Sequence, residues 1–122
     1  MTVIAGADLP YCYVITVGRR TGRPHTVEIW FAAEGRTLYL LAGGRDRADW
    51  VRNLRADHHV GVRLGDQHYA AVARVVDDGT DEDRVARRLL LAKYQRPGSG
   101  DLEGWGRTAL VVALDLVDQS RQ

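Results

Sequence analysis

Residues 11–42 read YCYVITVGRRTGRPHTVEIWFAAEGRTLYLLA, and this stretch decides the architecture. Residues 11–18 are dense in aromatic and β-branched side chains, the composition of a strand. Residues 25–33 alternate, with Val27, Ile29 and Phe31 on one face and Thr26, Glu28 and Trp30 on the other, which predicts a second strand. Glu34-Gly35-Arg36 makes a tight turn into a third strand over 37–42, ended by Gly43 and Gly44. Strands joined by such short connections pair antiparallel, because a parallel pair needs a crossover of a dozen or more residues.

Working outward, residues 46–56 predict a short helix. Asp46 is placed to cap it, and Trp50, Val51 and Leu54 recur at helical spacing. Residues 58–64 and 67–76 form a second hairpin over Gly65-Asp66. Thr80, with Asp83 three residues on, opens a longer helix over 81–96. Val85, Leu89 and Ala92 give its buried stripe, and Pro97-Gly98 stop it. A polar loop over 98–106 leads to a last strand at 107–116. The order β-β-β-α-β-β-α-β, rich in hairpins and poor in crossovers, implies a mainly β fold with two helices. Six strands of this length close as a small antiparallel barrel, with the helices covering open edges.

Composition narrows the function. The 122 residues make one domain, hydrophobic residues are 45% and charged residues 27%, close to a soluble globular average. The formal charge of +1 lacks the basic excess of a nucleic-acid binder. The longest apolar run, 109–114, is too short to insert in a membrane, and the opening MTVIAGADLP has no secretory pattern, so a cytoplasmic protein is expected. Cys12 is the single cysteine, which excludes an internal disulfide, and within a strand it reads as a small buried residue. The histidines, His25, His58, His59 and His68, lack metal-ligand spacing, and no metal is expected. Nor does any serine or cysteine have a base beside it for nucleophilic catalysis.

The chemistry concentrates between the first two strands, in Gly18-Arg19-Arg20-Thr21-Gly22-Arg23-Pro24-His25. Glycines let the backbone bend and approach a ligand closely. Guanidinium groups grip phosphate or carboxylate oxygens two at a time. A bend of this composition on a rigid sheet predicts a site for an anionic small molecule. Arg20 and Arg23 are the first candidates for phosphate contact.

With the bend followed by TVEIWF, YLLAGG and DWVRNLRADHHVGVRLGD, the chain resembles the deazaflavin (F420)-dependent nitroreductase family of actinobacteria. The resemblance rests on the G-R-x-[ST]-G-x-P bend and the W-x-x-N-L-x-A helix some thirty residues later. It implies a six-stranded split β-barrel of the FMN-binding type, assembled as a homodimer. It also implies coenzyme F420, whose reduced form passes a hydride to a quinone, nitroaromatic or enone. By this resemblance Arg19, Arg20, Thr21, Gly22 and Arg23 hold the phosphate and acidic tail. His25, Thr26, Val27 and Glu28 run past the ring. Ala42, Gly43, Gly44 and Arg45, with Trp50 and Asn53, form the opposite wall. Tyr94 and His25 are the candidate proton donors. Glu28 next to an anion requires a cationic partner. Flavin mononucleotide (FMN) in the same groove, and a non-catalytic barrel holding haem or lipid, are the alternative readings.

Overall fold

The computed structural model describes residues 4–94 and 103–117. Its strands are β1 (Cys12–Val17), β2 (Pro24–Ile29), β3 (Ala32–Glu34), β4 (Thr37–Ala42), β5 (His59–Leu64), β6 (Gln67–Val75) and β7 (Leu110–Leu116). They form one antiparallel sheet in the order β2-β1-β5-β6-β7-β4-β3. The helices are α1 (Asp49–Ala56), α2 (Asp81–Tyr94) and the short α3 (Glu103–Thr108).

The strand expected over 25–33 is divided, giving seven strands rather than six. Its halves, β2 and β3, lie at opposite edges of the sheet, joined only by Trp30 and Phe31. Ile29 and Ala32 are three peptide steps apart, a reach of at most about 10 Å. The two edges must therefore approach one another, and the sheet curls into a half-barrel. Cys12, Val14, Phe31, Leu38, Leu40, Val62, Val112 and Leu114 fill its concave face, each fully or almost fully buried. A second cluster under α2 joins Tyr39, Leu41, Ala86, Leu90 and Val111.

Other expectations need correction. Ala48, not Asp46, precedes α1, because residues Arg45–Arg47 form a separate 3₁₀ turn. On α2 the buried line is Asp83, Ala86 and Leu90, while Ala92 is exposed. Residues 103–106, expected in a loop, begin α3, and the last strand starts only at Leu110. The expected helix stop at Pro97-Gly98 lies outside the described residues. The Thr80 start holds: its hydroxyl accepts the Asp83 amide at 3.2 Å, and Asp83 accepts the Gly79 amide at 3.1 Å. Cys12 is buried, and burial pushes its thiol up to about 12. Among the described residues no helix is long and apolar enough to cross a membrane, and no cluster could hold a metal ion.

Outside the half-barrel, Arg74 ties α2 to the sheet. It donates to both Glu82 oxygens at 2.7 Å and to Asp115 at 2.6 Å. Tyr39 also donates to Glu82, and Thr37 to Asp115, both at 2.8 Å. The Arg74 hydrogen bonds hold both carboxyls below their ordinary 4.5 and 3.8. Carboxyls depressed on folding stabilise the fold above their unfolded values, and that contribution fades as pH falls through the folded ones. The thermal midpoint should therefore drop as pH falls below about 4. Arg74→Met should start lower at neutral pH and lose less on acidification, which thermal melts across that range would check.

Candidate functional site

The bend is built by short backbone bonds. Gly18 donates to the Arg23 carbonyl at 2.7 Å and Gly22 donates back to Gly18 at 2.8 Å. Gly22 adopts a φ of 75°, a left-handed conformation that disfavours side chains. At Gly18 the constraint is space. A Cβ there would lie 2.6 Å from His25 Nε2 and 2.9 Å from the Thr21 hydroxyl. The missing side chain lets His25 and Thr21 close over the backbone.

Gly18, Arg19, Arg20, Thr21 and His25, facing Asp49 and Asn53 of α1, line a cavity of about 220 Å³. Arg19 is consumed by the walls. Its guanidinium bonds Asn53 Oδ1 at 2.8 Å and Asp49 at 3.3 Å. The Arg23 amide donates to the Thr21 hydroxyl at 3.2 Å, but among the described residues the side chains of Arg20 and Arg23 make no hydrogen bond or ion pair, and both are exposed. With Asp49 matched by Arg19, Arg20 and the Thr21 hydroxyl remain to meet a ligand. That donor set suits phosphate or carboxylate oxygens.

Several expected site residues lie elsewhere. Thr26 and Glu28 face outward from β2, opposite the side on which Val27 packs into the core. The Glu28 carboxylate accepts from the Tyr13 hydroxyl at 3.0 Å, with Arg63 over the Tyr13 ring at 4.1 Å. Its charge is thus directed away from the bend. Ala42 is buried in the core, Gly43 and Gly44 are exposed, and Trp50 packs against the core. Arg45, at a φ of 53°, spends its guanidinium on Asp78 at 2.7 Å and the Thr108 carbonyl at 2.6 Å. Asp49 is the cavity residue that the sequence reading missed. Its place on α1 one turn before Asn53 is the signal that could have found it.

Tyr94 lies at the other end of β1, about 17 Å along the strand from the bend. Its hydroxyl accepts the Phe31 amide at 3.0 Å and reaches the Pro10 and Phe31 carbonyls at 2.8 and 2.9 Å. Its ring stacks on Trp30 with centroids 4.3 Å apart. Burial pushes the phenol up to about 12. With Trp30, Lys93 and Tyr11 it borders a second cavity of about 610 Å³.

The sequence profile of the F420H(2)-dependent quinone reductase family matches residues 3–112. The chain belongs to this family. It is accordingly an oxidoreductase that uses coenzyme F420. Solved structures agree on the fold. An F420-H2 dependent reductase, FDR-A, is 21% identical, with 92% of this chain and 99% of that one covered and a TM-score of 0.70. The haem storage protein HutZ of Vibrio cholerae is 15% identical over 90% and 83%, with a TM-score of 0.72. A putative 5-nitroimidazole antibiotic resistance protein of Bacteroides thetaiotaomicron is 18% identical over 89% and 74%, with a TM-score of 0.67. One fold thus carries different ligands, and what this chain binds is set by its own site residues.

Proposed function

We propose that this member of the family reduces an electron-poor small molecule, a quinone, nitroaromatic or enone, with the bend after β1 holding the anionic part of F420. The observation that carries this reading is the cavity beside Arg20, where Thr21 and His25 converge and the one wall carboxylate, Asp49, is matched by Arg19. When bound, the reduced coenzyme supplies a hydride to the acceptor. The protein binds and orients the coenzyme. Arg20, Thr21 and Arg23 hold the phosphate and acidic tail, and Arg19 keeps the cavity wall in place. His25 lines the same cavity beside Gly18, and we assign it the proton role. The hydroxyl of Tyr94 is occupied by the Phe31 backbone, which favours an anchoring role for that residue.

The curl of the sheet supports a split barrel, and the family resemblance supports a homodimer. Val17 and Val72 are exposed large apolar residues on the outer face, two strands apart, where a second copy would cover them. A neighbour 22% identical is described as a domain-swapped dimer. The test is a fluorescence titration with F420 and with FMN, followed by oxidation of F420H2 in the presence of a naphthoquinone or a nitroaromatic. Saturable F420 binding with acceptor-dependent oxidation is expected. F420 binding without turnover of any acceptor class would overturn the substrate reading.

A further inference from the structure

The joint between the bend and α1 is one buried carboxamide. Asn53 is 4% exposed and Thr16 beneath it 1%. Asn53 Oδ1 accepts twice from the same residue, from the Arg19 amide at 3.2 Å and from Arg19 Nη1 at 2.8 Å, which fills both its lone pairs. Asn53 Nδ2 donates to Thr16 Oγ1 at 3.2 Å. Arg19 is thereby clamped at backbone and side chain around a single oxygen. Asp49 closes the outer side of the guanidinium at 3.3 Å. Arg20 follows Arg19 directly. The bonds from Gly18 to Arg23 and from Gly22 to Gly18 carry the restraint around the turn.

We propose that Asn53 is a positioning residue: through Arg19 it fixes the course of the bend, so that Arg20, Thr21 and Arg23 meet the coenzyme already ordered. This rests on the bend being the anion site. The physical gain is preorganisation. A bend free to sample other turns would have to be ordered when the coenzyme binds, and affinity would fall by that ordering cost. Arg19, spent on Asn53 and Asp49, is then the link between helix and bend.

The test compares Asn53→Ala, Asn53→Asp and the pair Arg20→Glu/Arg23→Glu. Two readouts are the Kd for F420 and amide hydrogen exchange at Arg19 in the coenzyme-free protein. Asn53→Ala should raise Kd by about tenfold or more and speed Arg19 exchange by a similar factor. Asn53→Asp should restore slow Arg19 exchange but not Kd, because its charge joins that of Asp49 in the cavity wall. A carboxylate accepts the two Arg19 donors on one oxygen and the Thr16 hydroxyl, which can turn to donate, on the other. A residue that served only by contacting the coenzyme would leave Arg19 exchange in the coenzyme-free protein unchanged when replaced by alanine. That result, or failure of aspartate to restore slow exchange, would overturn the proposal.

Unchanged Kd in Asn53→Ala, with Arg20→Glu/Arg23→Glu strongly weakened, would also overturn it and leave the anion site standing. Unchanged Kd in every variant would remove the anion site itself. If Asn53→Ala does not fold, Arg19→Met serves instead, since it keeps the backbone bond to Asn53 and removes the guanidinium. It should weaken F420 about as much as the pairwise bond is worth, about fivefold to tenfold. No weakening there would count against the clamp.

Discussion

Arg20→Glu together with Arg23→Glu should weaken F420 binding by at least about a hundredfold and leave the fold unchanged. Both side chains are exposed, and among the described residues neither makes a side-chain hydrogen bond or ion pair. Substitutions at such positions usually move stability by no more than about 0.5 kcal/mol. Binding is another matter. Each reversal removes a charge-assisted donor and puts a repelling carboxylate at the proposed site for the phosphate and acidic tail. The cavity wall already contains Asp49, and only Arg19 offsets it, so nothing remains to absorb two further negative charges. A titration of the double variant at low salt, with thermal melting alongside, checks the result. Arg52→Glu with Arg55→Glu, exposed on α1, makes the same change in net charge and should shift affinity only slightly. Affinity of the parent should also decline with added salt, since these charges are open to solvent. Equal affinity of the double variant and the parent would refute the role of the bend.

The hairpins were legible because turn chemistry is local: Gly35 and Gly65 mark the reversals, and the registers on either side follow. The division between β2 and β3 was not. Alternation of inward and outward residues continues through Trp30 and Phe31, and alternation does not say which neighbour a strand pairs with. The chain changes partner there, from β1 to β4, with no glycine or proline to announce it. On α2, hydrophobicity favoured Val85 and Leu89 over a line beginning at Asp83. The line containing Asp83 is buried because that carboxylate is satisfied by Arg87 at 3.0 Å and by the Gly79 amide. A paired charge reads as a solvent-facing one until its partners are known.

The site divides in the same way. That glycines, arginines and a hydroxyl share one short turn between β1 and β2 could be read from residue types alone. Which arginine is free could not. Arg19, Arg20 and Arg23 look equivalent in sequence, and only the approach of Asn53, 34 positions away, commits the first of them to the wall. Arg45 is the same case, since its partners Asp78 and Thr108 arrive from distant segments.

Lys93 carries the largest expected effect on stability. It is the single lysine among 17 basic residues, the rest being arginine, and its placement asks for an ammonium. Lys93 Nζ donates to the Leu9 carbonyl at 2.7 Å, to that of Phe31 at 2.9 Å and to that of Ala7 at 3.4 Å. It lies 3.7 Å from the centre of the Phe31 ring. Burial lowers its pKa below the ordinary 10.5, with Cys12 and Asp8 opposing. Three donors radiating from one atom meet carbonyls from two segments: the approach to β1, and the crossing where the sheet closes. A planar guanidinium directs its donors in one plane from separate nitrogens and does not reproduce that arrangement. Lys93→Met keeps the apolar stem but strips the half-buried Ala7 and Leu9 carbonyls of this donor and leaves the Phe31 carbonyl to Tyr94, at a cost of about 2–4 kcal/mol. Lys93→Arg keeps the charge and should still lose about 1–3 kcal/mol through overpacking and misdirected donors. Chemical denaturation of both variants measures this directly, and F420 affinity at low temperature should be nearly unchanged, because the bend lies at the far end of β1. An arginine variant as stable as the parent would show that charge alone, and not the geometry of an ammonium, holds the crossing in place.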